Sequence, residues 1–381
     1  MNLMTYINKK RKKMNRIGIV TVGRSDFGLL HPLIIKLKKY NNLKTIVFAA
    51  GGHFSKFSGN TMNEIKKLKV IINYKIICSR SDDSMHSVSI SFSEALKKFS
   101  QKFTKSKINS IVLLGDRYEM FAAAIAASNL GIKIFHIGGG CTTLGAIDNK
   151  YRFSISYLSD YHFVDLNAYK DKLINMGIKS SSIFKTGSLG AINVKNVKKK
   201  SIKLIEKELR IKLTKKIILF TYHTTTLHTK DDISFVYSCL NYFKNNEKFQ
   251  LIISNPNEDH SRKNITTVYN KFKKCKNFIF VKNLGYENYA NLLNYANIMI
   301  GNSSSGIIEA ASYNLPVLNL GKRQKGRLTS KNVINLENFN EKKLNKKLDF
   351  VTNNNFKIKK IKNIYLNSKS YSKIAKKISK L

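Results

Sequence analysis

Two short segments hold most of the ionisable groups that could do chemistry. The stretch GDRYE (115–119) brings Asp116, Arg117 and Glu119 to the end of an apolar run, and AIDNKYRF (146–153) carries Asp148 and Arg152 soon after. A carboxylate at a strand terminus can act as general acid or base once burial moves its pKa toward neutrality. A neighbouring guanidinium can hold a bound or developing anion with a rigid fork of donors. Asp148 and Arg152 are four residues apart, so on one helix face a local ion pair is the plain alternative.

A second set of residues suits phosphate. GNSSSGIIEAA (301–311) follows an apolar strand and opens a helix: its small residues admit a close ligand and its exposed N–H groups favour an anion. Asn302, Ser303 and Ser304 add polar groups, and Glu309 lies about two turns along, within reach of ribose hydroxyls; a Ser-capped helix start is the ordinary reading. Neither GxxxxGK[ST] nor GxGxxG is present. VGRSDFG (22–28) is a matching strand-to-helix turn, with Asp26 as a cap and Arg24 placed to clamp a phosphate. Arg323 in GKRQKGR (321–327), His223 in YHTTTLH (222–228) and His53 in GGHFSKFSGNT (51–61) sit at further strand exits, where a basic loop or a packed histidine is the bland counterpart.

The elements that must position these groups alternate regularly. Apolar runs at 16–22, 44–50, 72–78, 110–116, 133–138, 161–165 and 183–187 are separated by helical patterns, notably 27–39, 86–105, 118–129 and 168–176. The pattern restarts at 216–223, 249–255, 277–283, 297–302 and 316–321 after the lysine-rich segment 193–216. Strands alternating with helices predict parallel sheets. The expected fold is α/β: two Rossmann-like doubly wound domains facing across a cleft, residues 16–190 and 191–355. A disordered basic extension (1–15), with Met14 as an alternative start, and a C-terminal helix (356–381) complete the division. Ligands of such sheets bind outside the strand C-termini.

Composition narrows the function classes. The chain has 381 residues and a formal net charge of +45, which invites a nucleic-acid or membrane reading. Lysine outnumbers arginine 58 to 10, however, and the lysines are scattered rather than gathered with aromatics, so the charge reads as a solvated surface. Arginine is then informative: Arg24, Arg117, Arg152, Arg323 and Arg327 all fall in the segments above. Four dispersed cysteines form no CxxC pair, which points away from zinc and disulfides and toward a reducing compartment. No apolar run is long enough for a bilayer span, and no metal or cofactor is expected.

Taken together, VGRSDFGLLHPLI, AAGGHFS…GNT, GDRYE, HIGGGCTTLGAIDNKYRFSIS, GNSSSGIIEAASYNLPVLNLG and KRQKGR resemble the UDP-N-acetylglucosamine 2-epimerase family, in particular its hydrolysing branch of sialic-acid-type sugar synthesis. The resemblance implies a GT-B arrangement in a cytoplasmic homodimer or homotetramer. It implies that Arg24, Ser303, Ser304 and Arg323 hold the diphosphate, Glu309 the ribose and Tyr289 the uracil. Asp116, Asp148 and His223 would form the catalytic set with Glu119, and Arg117 and Arg152 would support it. The implied reaction removes the C2 proton, expels UDP to give a 2-acetamidoglucal, and adds water. A non-hydrolysing epimerase, a GT-B glycosyltransferase and a UDP-sugar-binding homologue without turnover are the alternatives. One departure stands out: where the family usually has a strand-end glutamate this chain has Gly138 and Cys141, and Phe153 replaces a common histidine.

Overall fold

The computed structural model describes residues 14–54, 62, 65, 68–78, 82, 84–143, 147–225, 229–256, 262–353 and 361–381. Most of the expected N-terminal extension and the segment 55–61 lie outside them. So does the first part of the expected C-terminal helix.

Among the described residues, the first sheet has seven parallel strands: β1 (Asn15–Thr21), β2 (Leu43–Ala50), β3 (Tyr74–Ile76), β4 (Ser110–Leu114), β5 (Lys133–Ile137), β6 (Tyr161–Val164) and β7 (Ile183–Lys185). Their order is β3-β2-β1-β4-β5-β6-β7. The second sheet has six: β8 (Lys216–Thr221), β9 (Phe249–Ser254), β10 (Phe278–Val281), β11 (Ile298–Gly301), β12 (Val317–Leu320) and β13 (Val333–Leu336), ordered β10-β9-β8-β11-β12-β13. Each order reverses beside the first strand of its half, leaving a crevice between β1 and β4 and another between β8 and β11. The strands are near-continuous apolar runs because helices cover both faces. Ile17, Ile19 and Val20 of β1 and Ile218 and Phe220 of β8 are fully buried.

The expected strands are present, with ends shifted by a few residues, and β13 is an addition. Its sequence VINL lies in a polar stretch; pairing with β12 from Val317↔Val333 to Leu320↔Leu336 makes it a strand. The first helix runs Arg24–Leu37, earlier than the periodicity predicts, which puts Pro32 in its interior. A helix-interior proline frees the carbonyl four residues back. That carbonyl, Gly28 O, accepts a hydrogen bond from Asn193 Nδ2 at 3.0 Å. Asn193 belongs to the helix Leu189–Lys195, so the expected boundary at residue 190 falls inside an element that packs against both halves.

The C-terminal helix is Ser370–Ile378, shorter than expected, and returns to the first half: Tyr371, Ile374 and Ile378 join the core of β1 and β2 residues. A further cluster joins Val164, Leu166 and Tyr169 of the first half to Ile307 and Tyr365. Tyr365 donates to Leu328 O at 2.7 Å and shares a 2.8 Å hydroxyl contact with Tyr169. Among the described residues no helix is long and apolar enough to cross a membrane, and all four cysteines are free thiols.

Candidate active site

A cleft of about 440 Å³ lies where the C-terminal strand edges of the two sheets meet. Asp26, Asp116, Arg117, Cys141, Arg152 and Asp165 line it from the first half, and His223, Tyr289, Ser303, Ser304, Glu309, Arg323 and Arg327 from the second.

The first wall is built around Arg152. Its helix, Asp148–Leu158, begins after the HIGGGC turn and aims the side chain back under that turn, leaving it 2% exposed. Nη2 contacts the Asp116 carboxylate, while Nη1 donates to Cys141 O (2.9 Å), Asn149 Oδ1 (2.8 Å) and Thr143 Oγ1 (3.3 Å). The local ion pair with Asp148 is thus replaced by a pair between this helix and the exit of β4. Burial and the like charges of Arg327 and Arg323 act to lower the Arg152 pKa to about 9; the touching Asp116 carboxylate favours the charged form, so the guanidinium stays protonated at neutral pH. Asp148 is half-buried at the helix start and is not among the described lining residues.

Three residues outside the sequence-read set stiffen this wall. Asn149 accepts from Thr143 N (2.8 Å) and donates to Thr143 O (2.7 Å), stapling the turn to the helix. His136, fully buried, bridges Gly115 O (2.9 Å) and Ser156 Oγ (3.1 Å) and is held neutral by burial, its pKa near 3. Gly140 has φ +80°, and a Cβ there would stand 2.4 Å from Tyr169 O, so the turn needs glycine.

Other sequence-read carboxylates are engaged. Asp26 accepts from Val22 N (2.7 Å), Gly23 N (2.9 Å) and Thr21 Oγ1 (3.2 Å), and burial lifts its pKa to about 6. His53 contacts Thr21 Oγ1 at 2.9 Å and is 3% exposed, packed behind β1; burial lowers its pKa to about 4. Glu119 is buried and receives Arg117 Nε at 3.3 Å, with its carboxylate against Gly51. His53 and Glu119 are therefore behind the described lining, whereas Arg117 is in it. The Arg24 side chain lies outside the described structure; its backbone starts the first helix.

The second wall is assembled from β8 and β11. Gly301, at φ +142°, brings β11 so close that a Cβ would lie 1.9 Å from Thr221 O. Asn302, fully buried, accepts from His223 N and donates to His223 O, both at 2.7 Å. Both ends of its amide are thus spent on setting His223 rather than facing the cleft. Arg323 Nη1 and Gln324 Nε2 donate to Asn302 O at 3.2 and 2.8 Å, which holds Arg323 beside the serines. Ser303 caps the short helix Ser304–Ile308. Ser305 links Tyr289 to Glu309, donating to Glu309 Oε2 at 2.5 Å, and burial raises the Glu309 pKa.

Arg327, one of the informative arginines, and Asp165, outside the sequence-read set, also line the cleft. Arg327 crosses to the first wall, donating from Nε to Thr143 Oγ1 at 3.3 Å. Asp165 follows β6 and faces Arg152 and Arg327; desolvation raises its pKa to about 6 against their opposing pull. The only sequence signal for Asp165 was a carboxylate closing the run YHFVD.

The profile of the UDP-N-acetylglucosamine 2-epimerase family matches residues 35–379. The chain belongs to that family. It is 36% identical over 324 residues to the hydrolysing GDP/UDP-N,N'-diacetylbacillosamine 2-epimerase of Campylobacter jejuni, covering 84% of each chain. To the hydrolysing UDP-N,N'-diacetylbacillosamine 2-epimerase of Legionella pneumophila it is 33% identical, covering 85% of each. Its fold is that of the Methanocaldococcus jannaschii UDP-GlcNAc 2-epimerase crystallised with UDP-GlcNAc and UDP: TM-score 0.82 at 18% identity, over 96% of this chain and 100% of that one. Family members thus share the two-domain GT-B frame on which this cleft is built.

Proposed function

We propose that the chain is a hydrolysing 2-epimerase of a UDP-linked 2-acetamido sugar, either UDP-N-acetylglucosamine or a 2,4-diacetamido-6-deoxy relative. The observation that carries this is the pairing of walls: hydroxyls, N–H groups and arginine on one side of the cleft, and desolvated carboxylates against a buried arginine on the other. The names of the Campylobacter and Legionella relatives support the hydrolysing branch and the diacetamido substrate.

In this reading Ser303, Ser304, Arg323 and Arg24 hold the diphosphate, Glu309 the ribose and Tyr289 the uracil. A base takes the C2 proton, the C2–H electron pair becomes the C1=C2 bond, and the C1–O bond breaks with its electrons on UDP. Water then adds hydroxyl to C1 and a proton to the opposite face of C2, releasing UDP and the inverted free sugar. Cationic groups at the diphosphate stabilise its departure. Asp116, Asp148, His223, Glu119, Arg117 and Arg152 form or position the catalytic set, in a cytoplasmic homo-oligomer.

The test is NMR in D₂O with both candidate sugar nucleotides. UDP release with deuterium at C2 supports the proposal, and a new UDP-sugar without release would mark a non-hydrolysing epimerase. Binding with neither outcome refutes turnover.

A further inference from the structure

Among the described residues, four carboxylates line the cleft: Asp26, Asp116, Asp165 and Glu309. A general base needs a lone pair aimed at the substrate and a pKa near the working pH. Asp26 spends its oxygens on two backbone N–H groups and Thr21. Asp116 is committed to the Arg152 guanidinium. Glu309 accepts from Ser305 and lies on the nucleotide wall. Asp165 alone has no hydrogen bond or ion pair among the described residues, yet it is half-buried at a strand exit on the sugar wall.

We propose that Asp165 is the carboxylate that takes the proton from C2 of the bound sugar. This rests on the 2-epimerase reading and assigns the base within it. The carboxylate accepts the proton as the C1=C2 bond forms and UDP leaves with the C1–O electrons. Asp165 then passes the proton to solvent, and water supplies the C1 hydroxyl and the proton that enters C2 from the other face.

The surroundings suit that task. Arg152 and Arg327 line the same cleft and pull on Asp165 electrostatically without forming an ion pair with it, and the Cys141 thiol and the Tyr169 and Tyr365 phenols line it as well. Burial raises the pKa values of those three groups, so none competes as a base at neutral pH. Desolvation holds Asp165 near 6, where it is ionised at neutral pH yet more basic than a surface aspartate. A base on this strand exit also accounts for how a turn carrying Gly138 and Cys141 can serve an epimerase.

The test compares wild type, Asp165→Asn and Asp165→Glu by UDP release, C2 deuteration and UDP affinity at pH 5–9, and by melting temperature at pH 4–9. We expect Asp165→Asn to lower kcat about 10²–10⁴-fold, with UDP affinity unchanged within threefold. Its melting temperature should rise at pH 8, because an ionised desolvated carboxylate is removed, and should match wild type at pH 4, where that carboxyl is already protonated. Asp165→Glu should restore at least tenfold over Asn and move the acid limb of kcat/KM, expected near pH 6 for wild type. A limb that stays in place belongs to Asp26 and overturns the assignment. So does an Asn variant that retains more than a tenth of kcat, or one that loses stability at pH 8 together with turnover. Wild type that binds UDP but neither releases UDP nor takes up deuterium at C2 with either sugar refutes the 2-epimerase reading, and the Asp165 assignment with it.

Discussion

The Asp116–Arg152 pair decides how the first wall is held, and a double-mutant cycle reads it directly. The variants are Asp116→Asn, Arg152→Gln and their combination. Arg152 has a 3% exposed side chain and Asp116 one of 24%, so the pair is poorly screened. Hydrogen bonds between charged groups in such settings contribute about 1.5–3 kcal/mol, against about 0.3–0.5 kcal/mol for a solvent-exposed helical i,i+4 pair. The partial exposure of Asp116 favours the lower half of that range, so the expected coupling is about 1.5–2 kcal/mol. Arg152→Gln alone should cost more, about 3 kcal/mol or above, because the acceptors Cys141 O and Asn149 Oδ1 lose donors as well. Urea unfolding followed by far-ultraviolet circular dichroism measures each corner, repeated at high salt to separate screened surface charge from buried charge. Coupling below about 0.5 kcal/mol would refute the helix-to-strand-exit pair and return Arg152 to a local helical role.

Two further outcomes follow from the same geometry. Gly301→Ala should cost about 2–4 kcal/mol or prevent folding, since its Cβ would stand 1.9 Å from Thr221 O at a φ of +142°; an alanine variant melting within 2 °C of wild type would contradict this. Cys141→Ser should keep kcat within about threefold and the native thiol should resist iodoacetamide at pH 7.5, because burial raises its pKa and the thiolate is the reactive form. Rapid alkylation with loss of activity would instead identify a working thiolate.

The sequence by itself determined the layout. Uninterrupted apolar runs between helical patterns specify parallel strands covered on both faces, and Gly-Asp-Arg and Gly-Asn-Ser at strand ends mark where ligands meet such sheets. In a lysine-rich chain the arginines pointed to the cleft; Arg117, Arg152, Arg323 and Arg327 all line it. Local pattern also found Asp26 as a helix cap, since that bond spans only three or four residues.

Only the tertiary structure decided which of these groups are available. The spacing of Asp148 and Arg152 describes one helix; it carries no information about β4, whose exit places Asp116 under the guanidinium instead. Asn302 and His53 lie in segments that read as ligand-binding, yet each is packed against its own scaffold. The strand β13 exists because β12 offers it a partner. Asp165 closes an ordinary strand and becomes distinctive only where β6 ends between Arg152 and Arg327, contributed by a helix 148–158 of one half and a loop of the other. Desolvation and the proximity of charges from remote segments depend on distances in the folded chain, and those set which carboxylate can carry a proton.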